Sequence, residues 1–163
     1  MAVQRLVLDT IEDEDYELIA IHSSIAPYRL AFLLNKTLNI RLHRKKEDII
    51  FEYEKITASF PWYQYEDHFQ YSTYSLLGNT YKTKTVSQPP IQEGLFVTTE
   101  ETYVTKRLIP ELKKVDFFLK IETEDLSFYT KSIIASLIQI PQVITAYTVD
   151  YSQLKSKNNL IFE

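Results

Sequence analysis

The residue types that could carry out chemistry are few in this sequence. There is no cysteine among its 163 residues, which removes disulfides, thiolate zinc sites, iron–sulfur clusters and a thiol nucleophile together. His22, His43 and His68 show no metal-ligand spacing such as i and i+4 on one helix, so neither a metal nor a cofactor is expected. The two glycines, Gly78 and Gly94, are too few for a phosphate-cradling loop or a Gly-x-Ser-x-Gly elbow. The acidic run of Asp9, Glu12, Asp13, Glu14, Asp15 and Glu17 lacks the central glycine and spaced final glutamate of a calcium loop, and reads as a solvated connection.

Two constellations remain. Pro110 is suited to open a short helical turn with Glu111 near its positive end, and Asp116 to cap the passage into the strand that follows. That is the structural reading. In the functional reading, Glu111 and Asp116 converge with Arg29 and His22 on a polar site at one end of a sheet, able to bind a small ligand or to act as acid and base. The second constellation is aromatic: Phe60, Trp62, Tyr63, Tyr65, Phe69, Tyr71, Tyr74 and Tyr81 crowd one segment. Such residues cover a sheet through cross-strand pairs, or they build a protein interface, for which Trp62, Tyr63, Tyr65, Phe69, Tyr71 and Tyr74 are the candidates. The basic run at 41–46 reads as a solvated turn, and the glycine-bearing signature of an RNA-binding sheet is absent.

These residues must be held by a single domain of mixed class. Residues 17–21 form a strand, Ser23 or Ser24 is positioned to cap, and a helix over 25–38 with Pro27 in its first turn sets Tyr28, Ala31, Phe32, Leu34 and Leu38 on one face. Ile40 and Leu42, then Ile49, Phe51 and Tyr53, alternate with polar residues as a half-exposed hairpin does. The order returns later as a strand over 115–121, a helix over 126–139 ended by Pro141, and a strand over 143–149. Tyr129, Ile133, Ser136, Leu137 and Ile140 define that helix's apolar face. The expected fold is α+β: a two-layer sandwich in which a mixed or mostly antiparallel sheet of about six strands carries two helices on one face. Its core is ferredoxin-like, with an aromatic hairpin inserted over 60–97 and a hairpin turn at Leu77-Gly78-Asn79-Thr80.

A net charge of −4 argues against general nucleic-acid binding while leaving room for a local basic patch. The most apolar stretch, 133–140, is far shorter than the roughly 20 residues of a membrane span. The N-terminal stretch, where Arg5 precedes the acidic run, lacks the layout of a secretory signal, so a cytoplasmic location is expected.

Ile109-Pro110-Glu111, followed by Leu112-Lys113-Lys114 and Val115-Asp116-Phe117, resembles the bacterial family named for its IPExxxVDY signature. The stretch His22-Ser-Ser-Ile-Ala-Pro-Tyr-Arg-Leu-Ala-Phe-Leu-Leu-Asn-Lys is similar to that family as well. Phe117 departs from the final tyrosine of the signature. The resemblance implies a bacterial source, mainly Bacteroidetes, and a compact fold, and brings no activity with it. With enzymatic motifs missing and aromatics in surplus, the expected role is a non-enzymatic protein-interaction module, a homodimer formed through the aromatic segment or an open sheet edge. The alternative is a small ligand-binding regulator or enzyme built around Glu111 and Asp116.

Overall fold

The computed structural model describes residues 15–86, 101–124 and 127–162. The acidic positions 9–14 and residues 87–97 of the expected insertion lie outside them. Strand β1 (Tyr16–His22) leads to helix α1 (Pro27–Leu38), then β2 (His43–Arg44), β3 (Ile49–Glu52), β4 (Thr57–Phe60), β5 (Trp62–Asp67), β6 (Ser72–Gly78) and β7 (Thr80–Val86). Strand β8 (Glu101–Arg107), a 3-10 turn (Pro110–Leu112), β9 (Phe117–Glu122), α2 (Ser127–Ile138) and β10 (Thr145–Val149) follow, with two 3-10 turns (Tyr151–Gln153 and Lys157–Leu160) after them.

Six strands form one sheet in the order β10-β1-β9-β6-β5-β2, antiparallel at every pairing. In β1-α1-β6 and β9-α2-β10, each pair of strands is split by a strand of the other unit, which is the ferredoxin-like arrangement expected of this α+β sandwich. The aromatic strands are part of that arrangement, because β6 is one of its four core strands and β5 widens the sheet beside it.

Alternation along the strands serves two cores. Ile19 and Ile21 of β1, Leu76 of β6, and Phe117, Leu119 and Ile121 of β9 pack with the helices through Leu30, Leu34, Ile133 and Leu137. On the opposite face, Leu18, Ala20, Leu77 and Phe118 pack with Phe60 of the β3–β4 hairpin, with Leu108 and Ile109, and with Leu160 of the C-terminal segment. The helices thus occupy one face, and the hairpin, the 3-10 turn and the C-terminal strap cover the other.

Several local expectations are corrected. Helix α1 buries Leu30, Ala31 and Leu34, whereas Tyr28 and Phe32 are 66% and 67% exposed. Two residues along a helix turn about 200°, so the Tyr28–Phe32 stripe lies opposite Leu30 and Leu34, and the compact aliphatic face is the one that packs. Of the face expected for α2, Ile133, Leu137 and Ile140 are buried, but Tyr129 is exposed and Thr130 is buried instead. Ala26, not a serine, is the N-cap of α1, with Pro27 directly after it. Ser23 instead donates its hydroxyl to the Gln142 carbonyl at 2.8 Å.

The expected hairpin between 40–42 and 49–53 does not form, because β2 pairs with β5 and β3 with β4. Ile40 and Leu42 turn into the helix-side core, where the Asn35 side chain accepts from the Leu42 amide and donates to its carbonyl. Leu77-Gly78-Asn79-Thr80 is likewise no hairpin turn. It is the corner at which the chain leaves the main sheet for the separate β7–β8 ribbon. Glycine is needed there for close approach, since a Cβ on Gly78 would sit 2.8 Å from Cδ of Pro61.

Candidate functional site

The residues of the signature stretch meet around one side chain that sequence reasoning passed over. Asn79 is fully buried at the β6–β7 corner. Its amide nitrogen donates to the carbonyls of Leu112 (3.0 Å) and Val115 (2.8 Å), and its oxygen accepts from the Ile109 amide (2.9 Å). Its backbone also donates to the Asp116 carbonyl and accepts from the Leu108 amide. An irregular segment leaves its own polar groups without ladder partners, and here one asparagine supplies them. Nothing in the sequence marks this, because the bonded groups lie about thirty residues further along the chain.

Each of the two carboxylates has a fastening role. An Asp116 oxygen accepts from the Ser23 amide at 2.9 Å, so it caps the β1–α1 connection rather than its own turn. Glu111 lies in the first turn of the 3-10 helix behind Pro110, as expected, and accepts from the Ser156 hydroxyl at 2.6 Å and the Ser156 amide at 3.3 Å. His22 bonds Tyr147 through Nε2 at 3.0 Å, across the β1–β10 pair. Arg29 is exposed on α1 beside Tyr28 and Phe32. No hydrogen bond or ion pair joins any two of His22, Arg29, Glu111 and Asp116 among the described residues. The structure brings Asp116 to Ser23, the residue after His22, and spends Glu111 on the C-terminal strap.

Lys120 was also passed over, although a lysine inside the apolar stretch Phe117-Phe118-Leu119-Lys120-Ile121 is a visible signal. It is buried on β9, donates to the Leu160 carbonyl (3.0 Å), pairs with Glu122 (2.6 Å), and lies under the rings of Tyr16 and Phe162. Its charge is matched by one carboxylate and two π faces, so the lysine pins the strap to the sheet.

The aromatic segment divides by exposure. Trp62, Tyr63 and Tyr74 are buried, and Tyr65 is half-buried opposite Tyr74, ring to ring at 6.2 Å. These four cover the sheet. Only the β5–β6 tip displays its rings, with Phe69 97% and Tyr71 82% exposed. Beside that tip a cavity of about 270 Å³ is lined by Gln70, Tyr71, Ser72, Tyr74 and Tyr129. Burial pushes the pKa of the Tyr74 phenol above its ordinary value.

The two sheet edges differ in chemistry. Strand β2 is two residues long, set in the basic run at 41–46, with Arg44 paired to Asp48 and Lys45 lying over the Trp62 ring. Strand β10 is five residues long, Thr-Ala-Tyr-Thr-Val, with no charge and no proline. Ile144 before it and Tyr147 within it are exposed, and Ile138 at the end of α2 is exposed as well. Among the described residues β10 pairs with β1 alone. No helix among the described residues is long and apolar enough to cross a membrane. Searches against family models, curated proteins and solved structures find no match to this chain.

Proposed function

We propose that this chain is a non-enzymatic protein-interaction module that forms a homodimer by pairing its β10 edge with that of a second copy. The supporting observation is the asymmetry of the two edges. A free strand edge presents unpaired amides and carbonyls, and proteins that stay monomeric blunt such edges with charge, proline or brevity. The β2 edge has charge and brevity, and β10 has neither. An antiparallel β10 pair would be self-complementary about a two-fold axis, with Ile138, Ile144 and Tyr147 adding apolar contact beside the ladder. On the resemblance at 109–117 and 22–36 we further propose that the chain is a bacterial member of the IPExxxVDY family, and, separately, that it is cytoplasmic.

The reading of Glu111 and Asp116 as an enzyme or ligand site has less support, since Asp116 already accepts from the Ser23 amide and Glu111 from the Ser156 hydroxyl and amide. Light scattering on the purified chain at micromolar concentration is expected to give twice the chain mass. The double variant Thr145→Lys/Thr148→Lys, which charges two exposed edge positions, is expected to give the monomer with its circular dichroism unchanged. A parent that is monomeric at every concentration, or a double variant that remains dimeric, would refute the assignment.

A further inference from the structure

The β7–β8 ribbon stands apart from the main sheet, and its register sorts its side chains cleanly. Thr80 faces Arg107, Lys82 faces Thr105 and Lys84 faces Tyr103, so these six residues share one face. Tyr81, on the other face, packs against the core, which turns the Lys82–Tyr103 face away from the body. Lys82, Lys84, Tyr103 and Thr105 are exposed.

The cations on this face are ordered. The ammoniums of Lys82 and Lys84 lie 4.8 and 5.5 Å from the centre of the Tyr103 ring, and Arg107 donates to the Thr80 hydroxyl. The ribbon's one carboxylate, Glu101, is taken by Lys84 at 2.8 Å. Among the described residues, no carboxylate pairs with Lys82 or Arg107. Lys106, on the opposite face, adds a further positive charge over the Tyr53 ring. A chain with a net charge of −4 thus concentrates four basic residues against one acidic residue on two short strands.

We propose that this ribbon face binds single-stranded nucleic acid, with Lys82, Lys84 and Arg107 on phosphates and Tyr103 stacking on a base. Alternate residues of a strand lie about 6.6 Å apart, a repeat comparable to the spacing of successive phosphates along an extended single strand. An acidic peptide has no use for the exposed ring among the cations, whereas every base has a face to stack on it. An exposed cation–π contact is weaker than base stacking, so a base displaces the ammoniums from Tyr103 toward its own phosphates. The basic run at 41–46 offers no stacking platform, because the rings beneath Arg44 and Lys45, those of Tyr63 and Trp62, are buried, whereas Tyr103 is exposed. This inference does not depend on dimerisation.

The test is fluorescence anisotropy of a labelled oligothymidylate of about twelve nucleotides, within the usual range of single-strand site sizes, titrated with the full chain. Three phosphate contacts give a slope of about −2 in log K against log salt, so raising salt from about 50 to about 200 mM weakens binding roughly twentyfold. Lys82→Gln is expected to reduce that slope by about 0.7, the share of one phosphate contact. Tyr103→Ala is expected to weaken binding at least roughly fivefold with the slope unchanged. Both substitutions are at exposed positions, and unchanged circular dichroism confirms the fold. Absence of binding at low salt, or binding indifferent to both substitutions, overturns the proposal. Equal displacement of the oligonucleotide by polyglutamate, or tighter binding of a duplex of the same length, overturns the single-strand assignment.

Discussion

Replacing Asn79 by alanine tests whether the signature stretch is scaffold. The substitution removes three hydrogen bonds at a fully buried position. The Leu112 carbonyl keeps a partner, because it also accepts from the Val115 amide at 3.1 Å. The Ile109 amide and the Val115 carbonyl are left without one. Each orphaned buried group costs about 1–3 kcal/mol, which puts Asn79→Ala at roughly 2–6 kcal/mol, a large share of the 5–15 kcal/mol that holds a typical domain. Urea denaturation at neutral pH reads this as a lower midpoint with the slope retained. Asn79→Asp sharpens the test. Its carboxylate can still accept from Ile109, but it turns two acceptor carbonyls against a negative charge. Burial among acceptors raises the folded-state pKa of the new Asp above its unfolded value of about 3.9, so stability is full below that pH and is lost as pH rises through the folded value. Asn79→Asp is therefore expected to be less stable than Asn79→Ala at neutral pH and to recover toward pH 4. An Asn79→Ala variant within about 1 kcal/mol of the parent, or an Asp variant with no gain on acidification, would refute the reasoning.

Three further outcomes follow from neighbouring geometry. Asp116→Ala, which frees the Ser23 amide, is expected to cost about 0.5–2 kcal/mol, and the exposed Glu111→Ala less, in thermal melts; if both match or exceed the parent, the carboxylates are kept for a ligand rather than for the fold. Gly78→Ala drives a Cβ into the Pro61 ring and is expected to lose about 1–3 kcal/mol, with an unchanged melting temperature counting against the close approach. Because burial raises the Tyr74 pKa above 10.0, its share of stability is intact below that pH and is lost as pH climbs through the folded value; Tyr74→Phe should flatten the alkaline limb of stability, and superimposable limbs would contradict this.

The parts legible in the sequence are those set by local rules. Pro27 at the first position of α1, the three- and four-residue return of Ala31, Leu34 and Leu38, and the β-branched run before Val149 each depend on near neighbours, and the elements they specify are found in place. Tyr28 and Phe32 misled because periodicity reports that a helix has an apolar stripe, not which of two stripes meets the sheet. The pairing of β2 with β5 misled for a related reason. Alternation in 40–42 and 49–53 is satisfied by any neighbour with an apolar face, and the choice was made by Ile40 and Leu42 entering the core beneath α1.

The candidate site was harder to read because the residues joined there are distant in sequence. Glu111 meets Ser156, Asp116 meets Ser23, and Asn79 meets three backbone groups between residues 109 and 115. Spacing can bring two carboxylates to notice, but it cannot show that each already has its donors. Once those partners are counted, the groups with bonding capacity to spare among the described residues lie elsewhere, along the outer side of β10 and on the cationic face of the β7–β8 ribbon. A strand edge recognises by backbone ladder and a ribbon face by charge and ring. Neither needs a rare residue type or a fixed motif, which is why neither of the two proposed surfaces is marked in a sequence without cysteine and with two glycines.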